Sequence, residues 1–181
     1  MAAPTPVRFH EVDWAELSPV QLRCEMAHLS LPESGLDARH APEPRVLRIR
    51  FEGRCGVGSQ GNGDAHCMRA MSRAAFDMLD PDGLVLDFSA LTYEWGDMMS
   101  RVLDLPDAWR ELDEPPFAIV IGPDCEAGMM SLLLQELQYD RSELGWVFHD
   151  TDAACAKVAA IVREQALSRL EPVCDIHLRQ A

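Results

Sequence analysis

The run FAIVIG, residues 117–122, decides the fold of this chain. Its first five residues are all apolar, and the run is bounded by a proline before it and a glycine at its end. Because no polar residue marks a solvent face, the run is typical of a strand that is buried on both faces, as in a parallel sheet covered by helices. We therefore expect residues 117–121 in the interior of a sheet, with Ala118, Val120 and Ile121 buried.

Strand and helix patterns alternate on both sides of this run. Three further segments have strand patterns: VLRIRF (46–51), GLVLDFSAL (83–91) and LGWVFH (144–149). Four segments are predicted helices: residues 68–79, residues 97–105, the segment after an N-cap at Asp124, and the segment capped by Thr151 or Asp152. This alternation predicts an α/β fold, with a largely parallel central sheet and covering helices. A glycine-rich stretch at 53–66 is expected to be a long surface loop.

The first 45 residues have a different character. Proline recurs along them, and only residues 14–29 fit an amphipathic helix. We interpret residues 1–45 as an N-terminal arm and linker laid on the domain, and residues 46–181 as the α/β domain itself.

Charge and hydropathy restrict the classes of partner. The 181 residues include 30 acidic and 16 basic side chains, for a net charge of −14, so the chain should repel nucleic acid and suit a basic protein partner. No segment approaches the roughly 20 apolar residues of a membrane span, and the first 14 residues do not show the basic region and apolar run that are typical of a secretory signal. We therefore expect a cytoplasmic protein with reduced cysteines and no nucleic-acid or membrane partner.

Three segments resemble the crotonase family, the enoyl-CoA hydratases and isomerases. They are GDAHCMRAMSRAAFDMLDPDGLVLDF (63–88), YEWGD (93–97) and FAIVIGPDCEAGMMSLL (117–133). The resemblance implies a crotonase-like ββα fold, in which the backbone amides of Asp97 and Ala127 would form an oxyanion hole for an acyl-CoA thioester. However, Glu126 replaces a glycine of the family, and Met130 stands where the hydratases have a catalytic glutamate. The resemblance therefore implies a fold without the hydratase chemistry.

A second resemblance covers a similar stretch. DFSALTYEWGDMM (87–99) resembles the D-L-S-x-V-x-F-I-D-S-S-G strand and turn of STAS domains, the anti-sigma-factor antagonists, and WVFHDTDAACAKV (146–158) suits their closing strand and helix. The serine that is phosphorylated in STAS domains falls at Gly96. A STAS-like fold would therefore imply a binding module without that switch.

Other motifs point to no cofactor or metal. The G-x-G-x-x-G of Gly56, Gly58 and Gly61 is followed by Asp64, which would repel a phosphate, so we interpret it as surface loop. The possible ligands of a zinc ion are Cys55, His66, Cys67, Cys174 and His177. No two of these cysteines form the C-x-x-C motif that is typical of zinc sites. Cys125 lies near a predicted helix start, where a thiolate is favoured, but its acidic neighbours oppose ionisation, and we interpret it as a core thiol.

The leading functional hypothesis is a non-catalytic protein-binding module, an immunity-type, antagonist or regulatory partner that acts by stoichiometric contact with another protein. It depends on the missing catalytic acid, the acidic charge and a segment in which aromatic and acidic residues are interleaved. The predicted partner-binding residues are Tyr93, Trp95, Asp104, Asp107, Trp109 and Glu111. The alternative is a crotonase-like enzyme or acyl-CoA-binding protein that uses the amides of Asp97 and Ala127.

Overall fold

The computed structural model describes residues 17–31, 43–104, 109, 112 and 114–170. These residues contain five strands: β1 (Gln21–His28), β2 (Arg45–Arg54), β3 (Gly83–Thr92), β4 (Phe117–Ile121) and β5 (Val147–Phe148). They also contain three α-helices: α1 (Asn62–Leu79), α2 (Glu126–Ser131) and α3 (Thr151–Leu170). Short 3-10 turns span Gly58–Gly61, Asp97–Arg101 and Arg141–Glu143, and a π-helical turn, Leu132–Glu136, extends α2. The predicted α/β class is confirmed.

The strands form one mixed sheet in the order β1-β2-β3-β4-β5. β1 is antiparallel to β2, whereas β2 to β5 are mutually parallel. β4 lies between β3 and β5, and all five of its residues are buried. The prediction of an interior strand at 117–121, with Ala118, Val120 and Ile121 buried, is therefore confirmed.

Two hydrophobic cores, one on each face of the sheet, explain why β4 has no polar side. On one face Ile119 and Ile121 belong to a core that includes Met68 of α1, and Phe51 and Phe88, whose rings stack with centroids 4.9 Å apart. On the other face Val85, Ala118 and Val120 pack with Ala154, Val158 and Val162 of α3. Each residue of β4 is thus covered whichever way its side chain points.

The helix predicted within residues 14–29 is wrong where the structure describes that segment, because residues 21–28 form β1. Leu22 and Met26 both pack against the core. Their spacing of four residues suits one face of a helix and one face of a strand equally well. Pairing with β2 satisfies every second residue of the segment as a strand, so part of the predicted arm belongs to the sheet.

Three helix boundaries also differ from the prediction. α1 begins at Asn62, inside the stretch expected to be loop. Asp124 is not a cap, because α2 begins at Glu126 with Cys125 in the N-cap position and no side-chain cap bond. At α3 the capping carboxylate is that of Asp150, which accepts the Ala153 N–H at 2.7 Å, one residue before the predicted cap.

Within the described residues, no helix combines the length and the apolar character that crossing a bilayer requires.

Candidate functional site

The carboxyl ends of the four parallel strands meet along one edge of the sheet. We call the residues that directly follow β2, β3, β4 and β5 at this edge the carboxyl edge. In open α/β sheets the residues that contact ligands and partners are commonly found in these loops, because the strands hold them in fixed positions. The residues of the carboxyl edge are therefore the first candidates for a functional site.

Trp95 is the most distinctive side chain of the carboxyl edge. It follows β3, and 56% of its surface is exposed. The Gly58 N–H donates a hydrogen bond to the Trp95 carbonyl at 3.0 Å. The indole lies directly over Gly58, since a Cβ on that residue would be only 2.9 Å from Cη2 of the ring. A large aromatic side chain is thus held by its backbone while much of the ring faces solvent.

Tyr93 and Gly128 fix the loop that carries Trp95. The Tyr93 N–H donates to the Asp124 carbonyl at 3.1 Å, and the Tyr93 hydroxyl donates to the Gly96 carbonyl at 3.0 Å. In α2, a Cβ on Gly128 would lie 2.3 Å from the Glu94 carbonyl oxygen, so helix and loop are in direct backbone contact. The position of Trp95 is therefore determined by two segments that are distant from it in the chain, one at Gly58 and one at residues 124–128.

Exposed charged side chains share this edge with Trp95. Arg54 and Glu94 approach to 3.9 Å, and so do His149 and Glu126. All four side chains are more than half exposed, so each pair contributes little to stability. They make the edge polar around an aromatic residue, which is the composition that protein interfaces tend to have.

The structure separates the residues that were predicted to bind a partner. Tyr93 is only 3% exposed, so it supports the loop and does not present a surface. Asp104 is exposed and lies 3.8 Å from Arg69 of α1. Trp109 is half-buried, packing edge-to-face on Phe76 with ring centroids 5.2 Å apart. Asp107 and Glu111 lie outside the described residues.

Trp95 and Trp109 pack near opposite ends of α1. Trp95 covers Gly58, just before the helix begins, whereas Trp109 packs on Phe76 near its end. Asn62, the first residue of α1, and Phe76 are separated by about 21 Å along the helix axis, at about 1.5 Å per residue. The two tryptophans therefore do not form one patch, and the exposed one is Trp95.

The two amides of the alternative oxyanion hole lie in different elements. Asp97 begins the 3-10 turn after Gly96, and Ala127 lies in the first turn of α2. The crevice beside Gly96 is lined by loop glycines together with Tyr93, Met98 and Met99, and it has no room for a water molecule. This crevice therefore offers no space to an acyl chain.

Asp64 joins three segments at the carboxyl edge. Its carboxylate accepts the Ser18 hydroxyl at 2.7 Å and the Gly56 N–H at 2.8 Å, and the residue is 6% exposed. The Gly56 amide, which a phosphate-binding loop would offer to its ligand, is thus bonded within the protein. Gly58 and Gly61 are buried, so the expected mobile surface loop is instead a packed turn.

We expect Asp64→Ala to lower the free energy of unfolding by about 2 kcal/mol, because the Ser18 hydroxyl and the Gly56 N–H would lose their acceptor. The measurement is urea denaturation followed by circular dichroism. Asp77→Ala is the matched control, since Asp77 is exposed and pairs with Arg73 on the same helix, and its cost should not exceed about 0.5 kcal/mol. Equal losses in the two variants would contradict the role given to Asp64.

The two buried cysteines of the described residues, Cys55 and Cys125, are core thiols. Burial raises the pKa of Cys125 to about 11, and its Sγ lies 3.4 Å from the Phe88 carbonyl oxygen, as expected for a core thiol. Burial also raises the pKa of Cys55 to about 11. In the part of the chain that the structure describes, no three side chains of the metal-ligating types come together. Cys174 and His177 lie outside that part.

Comparison of the sequence with known proteins identifies no relative. The chain matches no protein-family model and no curated protein.

Proposed function

We propose that this chain is a non-catalytic protein-binding module, an immunity-type, antagonist or regulatory partner that acts by stoichiometric contact with another protein. The observation that carries the proposal is the exposed indole of Trp95, held over Gly58 at the carboxyl edge of the sheet. Burial of that indole against a partner would remove apolar area from water at a small cost in conformational entropy, because the loop is already fixed.

The STAS resemblance supports the proposal better than the crotonase resemblance. The crotonase likeness ends near residue 134 and leaves β5 and α3 without counterparts, whereas the STAS likeness includes β5 and the first part of α3. On the STAS pattern, Trp95 comes directly before the position of the switch serine, which is Gly96 here. We therefore propose a STAS-like antagonist whose contact surface contains Trp95 and which is not controlled by phosphorylation at that position.

The charge of the chain indicates the chemistry of the partner. With a net charge of −14, the chain would attract a basic protein over long range, and exposed Glu94, Asp124 and Glu126 surround the carboxyl edge. Charge of this kind raises the rate of association, while the aromatic residue supplies affinity. Association should therefore slow as the salt concentration rises, whereas dissociation should change less.

Trp95→Ala should weaken binding of the partner by about 2 kcal/mol or more and leave the fold intact, because more than half of the residue is exposed and the loop is held by its backbone and by Tyr93. Equal amounts of the wild-type, Trp95→Ala and Tyr139→Ala chains are immobilised on a support. Each is then incubated with an extract of the native host. The protein retained by the wild-type chain is then purified, and its affinity for each chain is measured by calorimetry.

Tyr139→Ala is the matched control. Tyr139 is also an exposed aromatic residue, 40% accessible, but it contacts Trp146 at the amino end of β5, the opposite end of the sheet. We expect it to bind as the wild type does. Equal affinity of all three chains for the partner would remove the carboxyl edge from the proposal.

Trp109→Ala separates a packing role from a binding role. Because Trp109 is half-buried against Phe76, its replacement should lower the melting temperature and leave the affinity of the folded fraction largely unchanged. Loss of affinity without loss of stability would instead place the partner along α1.

A further inference from the structure

β1 is the outermost strand of the sheet in the described part of the chain. The Leu29 N–H, just beyond β1, donates to the Pro44 carbonyl at 2.8 Å. In an antiparallel ladder the direction of the backbone groups alternates from residue to residue. Leu22, Cys24, Met26 and His28 therefore direct their N–H and C=O groups away from β2. A regular row of donors and acceptors is available for another strand.

The side chains of β1 have a self-complementary order about Cys24. The sequence is Leu22-Arg23-Cys24-Glu25-Met26, in which opposite charges flank the cysteine and two apolar residues flank the charges. When two copies of this strand run antiparallel with Cys24 opposite its own copy, Arg23 faces Glu25 of the partner subunit. In the same register, Leu22 faces Met26 of the partner subunit.

From this order we propose that the chain forms a symmetric dimer, in which the β1 strands of two copies pair antiparallel about Cys24 and join the two sheets into one. The partner that fits this edge is thus a second copy of the chain. Because the two-fold axis passes through Cys24, each of these contacts occurs twice in the dimer. This is expected of an interface in which both copies use the same surface.

The two faces of β1 suit this arrangement. On one face Arg23 and Glu25 form ion pairs with Glu52 and Arg48 of β2, yet 65% and 55% of their side chains stay exposed, so both charged groups remain accessible to a second copy. On the other face Leu22 and Met26 lie opposite Phe51 and Leu47 of β2 and pack against the core. Pairing of two copies would continue this apolar row across the axis, and cross-strand pairs of both kinds stabilise antiparallel sheets.

A charge exchange tests the register. Molar mass is measured by size-exclusion chromatography with light scattering for four full-length chains: wild type, Arg23→Glu, Glu25→Arg and the double exchange. Each single change places like charges opposite each other across the two-fold axis and should produce monomer, whereas the double exchange restores opposite charges across the axis and should restore the dimer. Because the changes also place like charges beside Glu52 or Arg48 of the same chain, circular dichroism is used to check that each variant is folded. A wild-type monomer at the highest concentration reached would overturn the proposal, as would a dimer that both single variants retain.

A backbone change tests the pairing independently of charge. Cys24→Pro removes an N–H that points away from β2, which an edge strand tolerates, so the variant should fold and be monomeric. Cys24→Ser keeps the amide and should remain dimeric. If Cys24→Pro is folded by circular dichroism and still dimeric, the copies associate elsewhere. If the proline variant does not fold, the charge exchange of Arg23 and Glu25 decides the proposal.

Discussion

Gly128→Ala is expected to lower the free energy of unfolding by about 3 kcal/mol. The new Cβ would lie 2.3 Å from the Glu94 carbonyl oxygen and 2.9 Å from the Tyr93 ring, so α2 and the loop that carries Trp95 would have to move apart. Neither neighbour can yield easily, because one is backbone and the other is a buried ring whose hydroxyl is bonded to Gly96. We expect a lower urea midpoint and, since Trp95 would shift, weaker binding of the partner.

Gly63→Ala is the control for this prediction. Gly63 lies in α1, and a Cβ there would meet nothing within 4 Å. The same substitution should therefore leave stability unchanged or raise it by up to about 1 kcal/mol, because alanine favours helix over glycine. If both variants unfold at the same urea concentration, the contact between α2 and the Glu94 carbonyl does not restrain the loop.

Phe88→Ala is expected to lower the free energy of unfolding by about 4 kcal/mol. Phe88 is fully buried in β3, and its ring stacks on Phe51 of β2. Removal of the ring would leave a cavity in the core beneath α1, which a rigid sheet cannot close by collapse. The loss should appear as a lower midpoint of denaturation with an unchanged slope, because the same surface is exposed on unfolding.

Two controls bracket the effect of the cavity. Phe88→Leu keeps an apolar side chain in the same place, so its cost should be less than about 2 kcal/mol. Met78→Ala removes a large apolar side chain that is 83% exposed and should change stability by less than about 0.5 kcal/mol. A loss from Phe88→Ala no greater than that from Met78→Ala would show that Phe88 does not support the core.

The candidate site was only partly predictable. Trp95 could be selected because an aromatic residue beside acidic ones after a buried strand is typical of a recognition loop. The sequence did not predict that Tyr93, two residues earlier, is buried and has a different role from Trp95. Tyr93 is buried because α2 and the Asp124 carbonyl come against it, and these belong to a part of the chain about 30 residues away that only folding brings near. Gly58 and Gly128 likewise gain their roles only from neighbours that are remote in sequence.

The sequence by itself determined the class of the fold. The apolar run at 117–121 and the alternation of strand and helix patterns are local properties, because burial on both faces excludes polar residues from each position of a strand. Only the tertiary structure decided that residues 21–28 form a strand, since Leu22 and Met26 fit one face of either element until β2 is there to pair with them. It also decided which aromatic residue faces solvent, because exposure depends on the segments that pack around a side chain and not on the residues next to it in the chain.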